Sequence, residues 1–163
     1  MLQKPAQLLK ILKDAIKVES DGYHFYQMAA ERTKDSKGIQ AFLELAQDEL
    51  DHGSMLKGLY LAIKDRSEYQ LDRKRHQRKT PKKASKDPIF SAKFKRKIKE
   101  GHFALSALRI AQLLERNSIE FYAKNAKAVG HPELKSLFRF LVAWERDHLR
   151  ALARQESFLK GDF

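Results

Sequence analysis

The chain contains no cysteine. That absence excludes disulfides, thiolate zinc sites, iron–sulfur clusters and a rubredoxin-type iron site, and it gives no sign of an oxidising compartment. Glycine and proline are scarce, at 7 and 4 of 163 residues, which favours long helices over a turn-rich β fold. No run approaches the ~18 consecutive apolar residues of a membrane span. The stretch Met1–Lys17 alternates apolar and charged residues and lacks the unbroken apolar core of a signal peptide. Cytoplasmic location is the expectation. An apolar content of 42% is too high for a disordered chain, and the length suits one domain spanning 1–163.

Bases outnumber acids, giving a net charge of +12. The excess is local. Residues 73–99 hold thirteen of the 33 Lys and Arg and only one of the 21 acids, Asp87; the twenty bases and twenty acids elsewhere cancel. The basic character therefore belongs to one segment rather than to the whole fold.

Apolar residues recur every three or four positions along four stretches, as on one face of a helix. The first stripe is Leu8, Leu12, Ala15, Glu19, Tyr23, Tyr26 and Ala30, ended by a turn at Asp35-Ser36-Lys37-Gly38. The second is Phe42, Leu45, Glu49, His52, Leu56, Leu59 and Ile63. The third is Leu105, Leu108, Ala111, Glu115, Ile119, Tyr122 and Ala126, ended at Gly130-His131-Pro132. The fourth is Leu137, Phe138, Leu141, Glu145, His148 and Leu152, with Pro132 placed to open its helix.

A shift of 96 residues superimposes the two halves without a gap. Among the 46 pairs beginning with residues 15–60, eleven are identical, and the breaks coincide. Unrelated sequences of ordinary composition would give roughly three. Duplication of a helical hairpin explains this. We expect an all-α antiparallel four-helix bundle built from two repeated helical hairpins: hairpin one over about 6–64, a long basic crossover over about 65–103, and hairpin two over about 104–158. Within the crossover, Ile89 to Lys99 can form a short helix with Ile89, Phe90, Phe94 and Ile98 packed inward.

Both hairpins carry the same polar groups on otherwise apolar faces. The first helix of each supplies a lone Glu, Glu19 or Glu115. The second supplies Glu-x-x-His: Glu49 with His52, and Glu145 with His148. Residues three apart share a helix face. The lone Glu precedes the paired Glu by 30 residues in both halves, so all six groups can meet at one level. Four carboxylates in a core are tolerable only if neutralised, because desolvating even one unpaired carboxylate costs several kcal/mol. Two divalent cations supply that charge. Each would take one terminal Glu, one His and shares of two bridging Glu, leaving positions for oxygen species. Carboxylate and imidazole together suit iron or manganese, and zinc accepts the same ligands. A single Glu-x-x-His is a weak signal and usually lies on a solvated face; two at equivalent places of a repeat are a strong one.

The segments Glu19 to Tyr26 with Glu49 to His52, and Glu115 to Tyr122 with Glu145 to His148, resemble the rubrerythrin-like branch of the ferritin-like di-iron carboxylate superfamily. The resemblance implies that Glu19, Glu49, His52, Glu115, Glu145 and His148 hold two iron ions. It also implies that Tyr26 and Tyr122, each seven residues after its Glu, lie beside the metals as catalytic side chains; plain aromatic core packing is the alternative. Asp48 is placed either to hydrogen-bond a ligand His or to stand as an exposed helix acid. Asp51 and Asp147 are expected to face solvent. Two departures matter. Rubrerythrins proper have an extra carboxylate where this chain has Ser118, and they carry a cysteine-ligated electron-transfer domain. Electrons would here come from an external donor. Only about seven residues follow Glu156, too few for the fifth helix of a ferritin cage, so a homodimer is expected.

The run Arg73-Lys74-Arg75-His76-Gln77-Arg78-Lys79 with Lys82, Lys83 and Lys86 is either a solvated linker, the favoured reading, or a surface for nucleic acid, anionic lipid or an acidic donor. His24, His76, His102 and His131 lack ligand spacing. Three functions follow: an oxidoreductase acting on peroxide or dioxygen, a non-catalytic iron-binding, storage or sensing protein, and a nucleic-acid-associated protein using residues 73–99.

Overall fold

The computed structural model describes residues 3–68, 88–97 and 103–161. Four long helices dominate: α1 (Pro5–Arg32), α2 (Ser36–Asp65), α4 (Phe103–Ala128) and α5 (Pro132–Lys160), with a six-residue helix α3 (Ala92–Lys97) between the pairs. No strand occurs among the described residues. At 1.5 Å per residue the long helices reach about 40 Å, so one polar layer can sit mid-bundle with a full apolar cluster on each side. Each hairpin packs tightly within itself, α1 on α2 and α4 on α5, and the hairpins meet chiefly along α1 and α4. No described helix is long and apolar enough to cross a membrane.

The ends follow from local chemistry. Proline at the first position opens α1 and α5, where no backbone N–H is needed. Thr33 closes α1, and its hydroxyl donates to the Ala29 carbonyl at 2.6 Å. The stretch Asp35–Gly38, expected as a turn, is instead a helix start. Asp35 is the N-cap, its carboxylate accepts the Gly38 N–H at 3.0 Å, and Ser36 onward is helical. His131 does the same for α5, accepting from the Leu134 N–H at 3.4 Å. Gly161 ends α5 at a φ of 80°, a left-handed conformation natural to glycine.

Two apolar clusters fill the bundle. One gathers Leu8, Leu12 and Ala15 of α1, Met55 to Leu59 of α2, Tyr122 to Ala126 of α4 and Leu134 to Val142 of α5. The other gathers Tyr26 to Ala30, Phe42 and Ala46, Ala104 to Ala111 and Leu152. On every long helix the metal-ligand candidates fall between the two clusters. Within the striped positions, Tyr23, Leu45, Ile63, Leu105 and Ile119 are only half-buried.

The described end of the crossover docks on both hairpins. Phe90 is fully buried between Phe42 and Phe94. It lies so close to α2 that a Cβ on Gly38 would come within 2.4 Å of its ring. Ser91 donates to Asp35 at 2.6 Å, and the Ile89 N–H donates to Gln155 at 2.6 Å. The expected short helix forms over a narrower span, with Ile98 and Lys99 outside the described residues. Residues 73–87 of the basic run, with His76 and His102, also lie outside them.

Candidate metal centre

All six carboxylate and imidazole groups singled out by the repeat converge in the mid-bundle layer. Glu19, Glu49, His52, Glu115, Glu145 and His148 are each at most 5% exposed. They form two overlapping donor sets. Glu19, Glu49, His52 and Glu145 offer ligand atoms within 4.8 Å of one another, and so do Glu49, Glu115, Glu145 and His148. Glu49 and Glu145 belong to both sets, so each can bridge two cations. Glu19 with His52, and Glu115 with His148, are terminal pairs.

The distances repeat the duplication. His52 Nδ1 lies 3.2 Å from Glu19 of its own hairpin and 3.1 Å from Glu145 of the other. His148 Nδ1 lies 3.5 Å from Glu115 of its own hairpin and 3.4 Å from Glu49 of the other. The tyrosines cross between hairpins: Tyr26 donates to Glu115, and Tyr122 donates to Glu19. Both hydroxyls thus brace a terminal carboxylate. Aromatic packing accompanies this, since Tyr26 stacks on Phe42 and Tyr122 meets Phe138.

The electrostatics fit a cation pair. Glu49 Oε1 and Glu145 Oε1 are buried and lack a hydrogen bond of good geometry, although imidazoles lie at 3.4 and 3.1 Å. Such orphaned oxygens are expensive unless something positive occupies the space between them. Without metal, protons take that role. Burial and then repulsion by Glu145 push the Glu115 carboxyl up to about 8, and burial with repulsion from Glu145, Glu19 and Glu115 pushes Glu49 up as well. Burial alone would lower His52 and His148, but nearby carboxylates outweigh it and raise both. Glu145 opposes burial through His52 and His148 and stays well below the usual carboxylate range. Burial and the adjoining Glu115 or Glu19 carboxylate raise Tyr26 and Tyr122, keeping their hydroxyls as donors.

A cavity of about 320 Å³ opens onto this layer between α1 and α4, lined by Gly22, Tyr26, Glu49, Glu115, Ser118 and Phe121 among others. Gly22 and Ser118 are partners under the 96-residue shift. A Cβ at Gly22 would lie 2.9 Å from Glu49 Oε2, so glycine here keeps the shared carboxylate in place and the passage open. Asp48, left open between two roles by the sequence, lies 3.1 Å from His148 Nε2. Of the histidines without ligand spacing, His131 is a helix cap and His24 is exposed.

The family model described as Rubrerythrin matches residues 10–156, nearly the whole chain. The chain belongs to the rubrerythrin family. No curated protein and no solved structure matches it. Within this rubrerythrin-family fold, two residues near the site escaped the sequence reading. Trp144 packs edge-on against His52 with ring centroids 5.3 Å apart, and Gly22 floors the cavity. The repeat itself held the signal for Trp144, because it occupies the position equivalent to Asp48.

Proposed function

We propose that the chain is a di-iron carboxylate oxidoreductase that reduces peroxide or dioxygen with electrons from an external donor. The observation that carries the reading is the pair of four-residue donor sets sharing Glu49 and Glu145, with a cavity leading from the surface to Glu49 and Glu115. In this reading Glu19 and His52 would hold one ion and Glu115 and His148 the other, with Glu49 and Glu145 available to both. A carboxylate-rich set with two imidazoles suits a redox-active iron pair.

Bound there, iron supplies the two electrons that, with two protons, convert hydrogen peroxide to two waters. The protein's own groups prepare the place. Gly22 and Ser118 admit a molecule of peroxide size. Tyr26 and Tyr122 hold the terminal carboxylates in place, and their hydroxyl protons lie within hydrogen-bond reach of that layer. The apolar clusters on both sides keep water from the rest of the layer. The absence of cysteine leaves re-reduction to a separate donor.

Peroxide consumption by the iron-loaded protein with a chemical reductant tests this. The parent chain should turn over, and Glu115→Ala should fall to the background of free iron. Equal rates would contradict the reading. Rapid ferrous oxidation with many irons retained per chain and no turnover would mark a storage protein instead.

A further inference from the structure

The duplication makes the two terminal pairs equivalent, but their surroundings are not. His148 turns Nδ1 towards the carboxylates and Nε2 towards Asp48, whose Oδ2 lies 3.1 Å away. The indole Nε1 of Trp144 is also 3.1 Å from that nitrogen. One ring nitrogen cannot accept from the indole and donate to the carboxylate together. With Nδ1 reserved for a ligand, the proton sits on Nε2 and goes to Asp48, the stronger acceptor.

His52 should have the matching partner at position 144, one residue before Glu145, as Asp48 stands one before Glu49. That position holds tryptophan. Its ring meets His52 edge-on, and an indole offers no lone pair to an imidazole N–H. His52 Nε2 is accordingly buried with no hydrogen-bond partner, while His52 as a whole is 1% exposed.

From this broken symmetry we infer that the two metal positions are inequivalent: the Glu115/His148 position, braced by Asp48, holds its ion more tightly and fills first, and the Glu19/His52 position holds the exchangeable one. The inference rests on the dinuclear reading above. A carboxylate that accepts from a ligand imidazole fixes the ring and its tautomer and makes the other nitrogen a better donor, and losing such a partner typically lowers metal affinity ~10–100-fold. The direct ligands are matched in kind between the positions, one Glu, one His and two shared Glu, so the contrast in kind lies in what braces each histidine. Asp48 is therefore a positioning residue. Under limiting metal the chain would carry one ion, beside His148.

Sequential filling alone does not prove this, because repulsion between two cations weakens the second event even in a symmetric centre. The test compares the affinity left at each position. The metal-free chain is titrated with Co(II) by calorimetry and by the visible ligand-field bands. His52→Ala, which spares the braced position, should retain an affinity about 10–100-fold above that of His148→Ala. Asp48→Ala, with every ligand intact, should weaken the first event by a similar factor and leave two ions per chain. Asp48→Asn, which still accepts a hydrogen bond, should fall between. Far-UV circular dichroism confirms folding, and Asp48→Ala decides the question should either histidine variant unfold. Equal affinities in the two histidine variants, or a first event unchanged by Asp48→Ala, would overturn the inference while leaving the dinuclear reading intact. Fewer than two Co(II) bound by the parent chain at saturation would overturn both.

Discussion

Glu145→Gln is expected to empty both metal positions, whereas Glu19→Gln should empty only one. Glutamine keeps the size of the side chain and removes its charge, so the comparison isolates the ligand. Glu145 and Glu49 each belong to both donor sets; Glu19 belongs to one. On the dinuclear reading, losing a shared carboxylate would remove one ligand from each ion and half of the charge shared between the two positions. The loss should exceed the ~10–100-fold typical of removing a ligand's hydrogen-bond partner. Metal content after dialysis would then fall from two ions per chain towards none in Glu145→Gln and Glu49→Gln, and towards one in Glu19→Gln and Glu115→Gln. A single lost ion in every variant would mean two independent sites rather than one shared centre.

Metal loading should stabilise the chain strongly, and most strongly at alkaline pH. Ions that bind only the folded chain stabilise by about 4 kcal/mol per position at a thousandfold excess over Kd. For a domain of this size that is on the order of 10 °C in Tm for each position. The pH dependence follows from the protons that occupy the metal-free centre. Glu115 titrates near 8 when folded, against an ordinary value of 4.5. A group raised by folding contributes stability below its unfolded value and loses it as pH rises through its folded one. Glu115 therefore favours the fold at pH 4.5 and ceases to do so by about pH 8; Glu49, His52 and His148 are raised and act in the same direction. Glu145, held low, runs the opposite way, but its contribution is lost only as pH falls below the ordinary 4.5. The metal-free chain should thus melt at progressively lower temperature from pH 5 to 8. With cations replacing the protons, that slope should flatten. Parallel melting curves with and without metal across this range would contradict the proposed exchange of protons for metal.

Much of this was legible in the sequence because helix periodicity and repetition are both one-dimensional signals. The 3–4 spacing of Leu8, Leu12 and Ala15 around Glu19 marked a buried face, and the 96-residue shift paired each polar interruption with its twin. What the pattern could not supply was how faces meet across helices. Periodicity gives the side of a helix, not its rotation or height against a neighbour. Hence the crossing of Tyr26 to Glu115 and Tyr122 to Glu19 needed the structure, as did the identity of Glu49 and Glu145 as the shared pair. The turn at Asp35 was placed too far along because glycine and serine suggest a loop, while the cap set by Asp35 starts α2 immediately. Asp48 was ambiguous for a related reason. A half-exposed helix acid looks the same in sequence whether or not a histidine from the other hairpin lies 3.1 Å away.

The decisive measurement is anomalous X-ray diffraction at the iron edge from crystals of the chain loaded anaerobically with ferrous iron. Two peaks about 3.5–4 Å apart should lie in the mid-bundle layer. Glu49 and Glu145 should span them, with His52 on one and His148 on the other. A single peak, or none among these six side chains, would contradict the account.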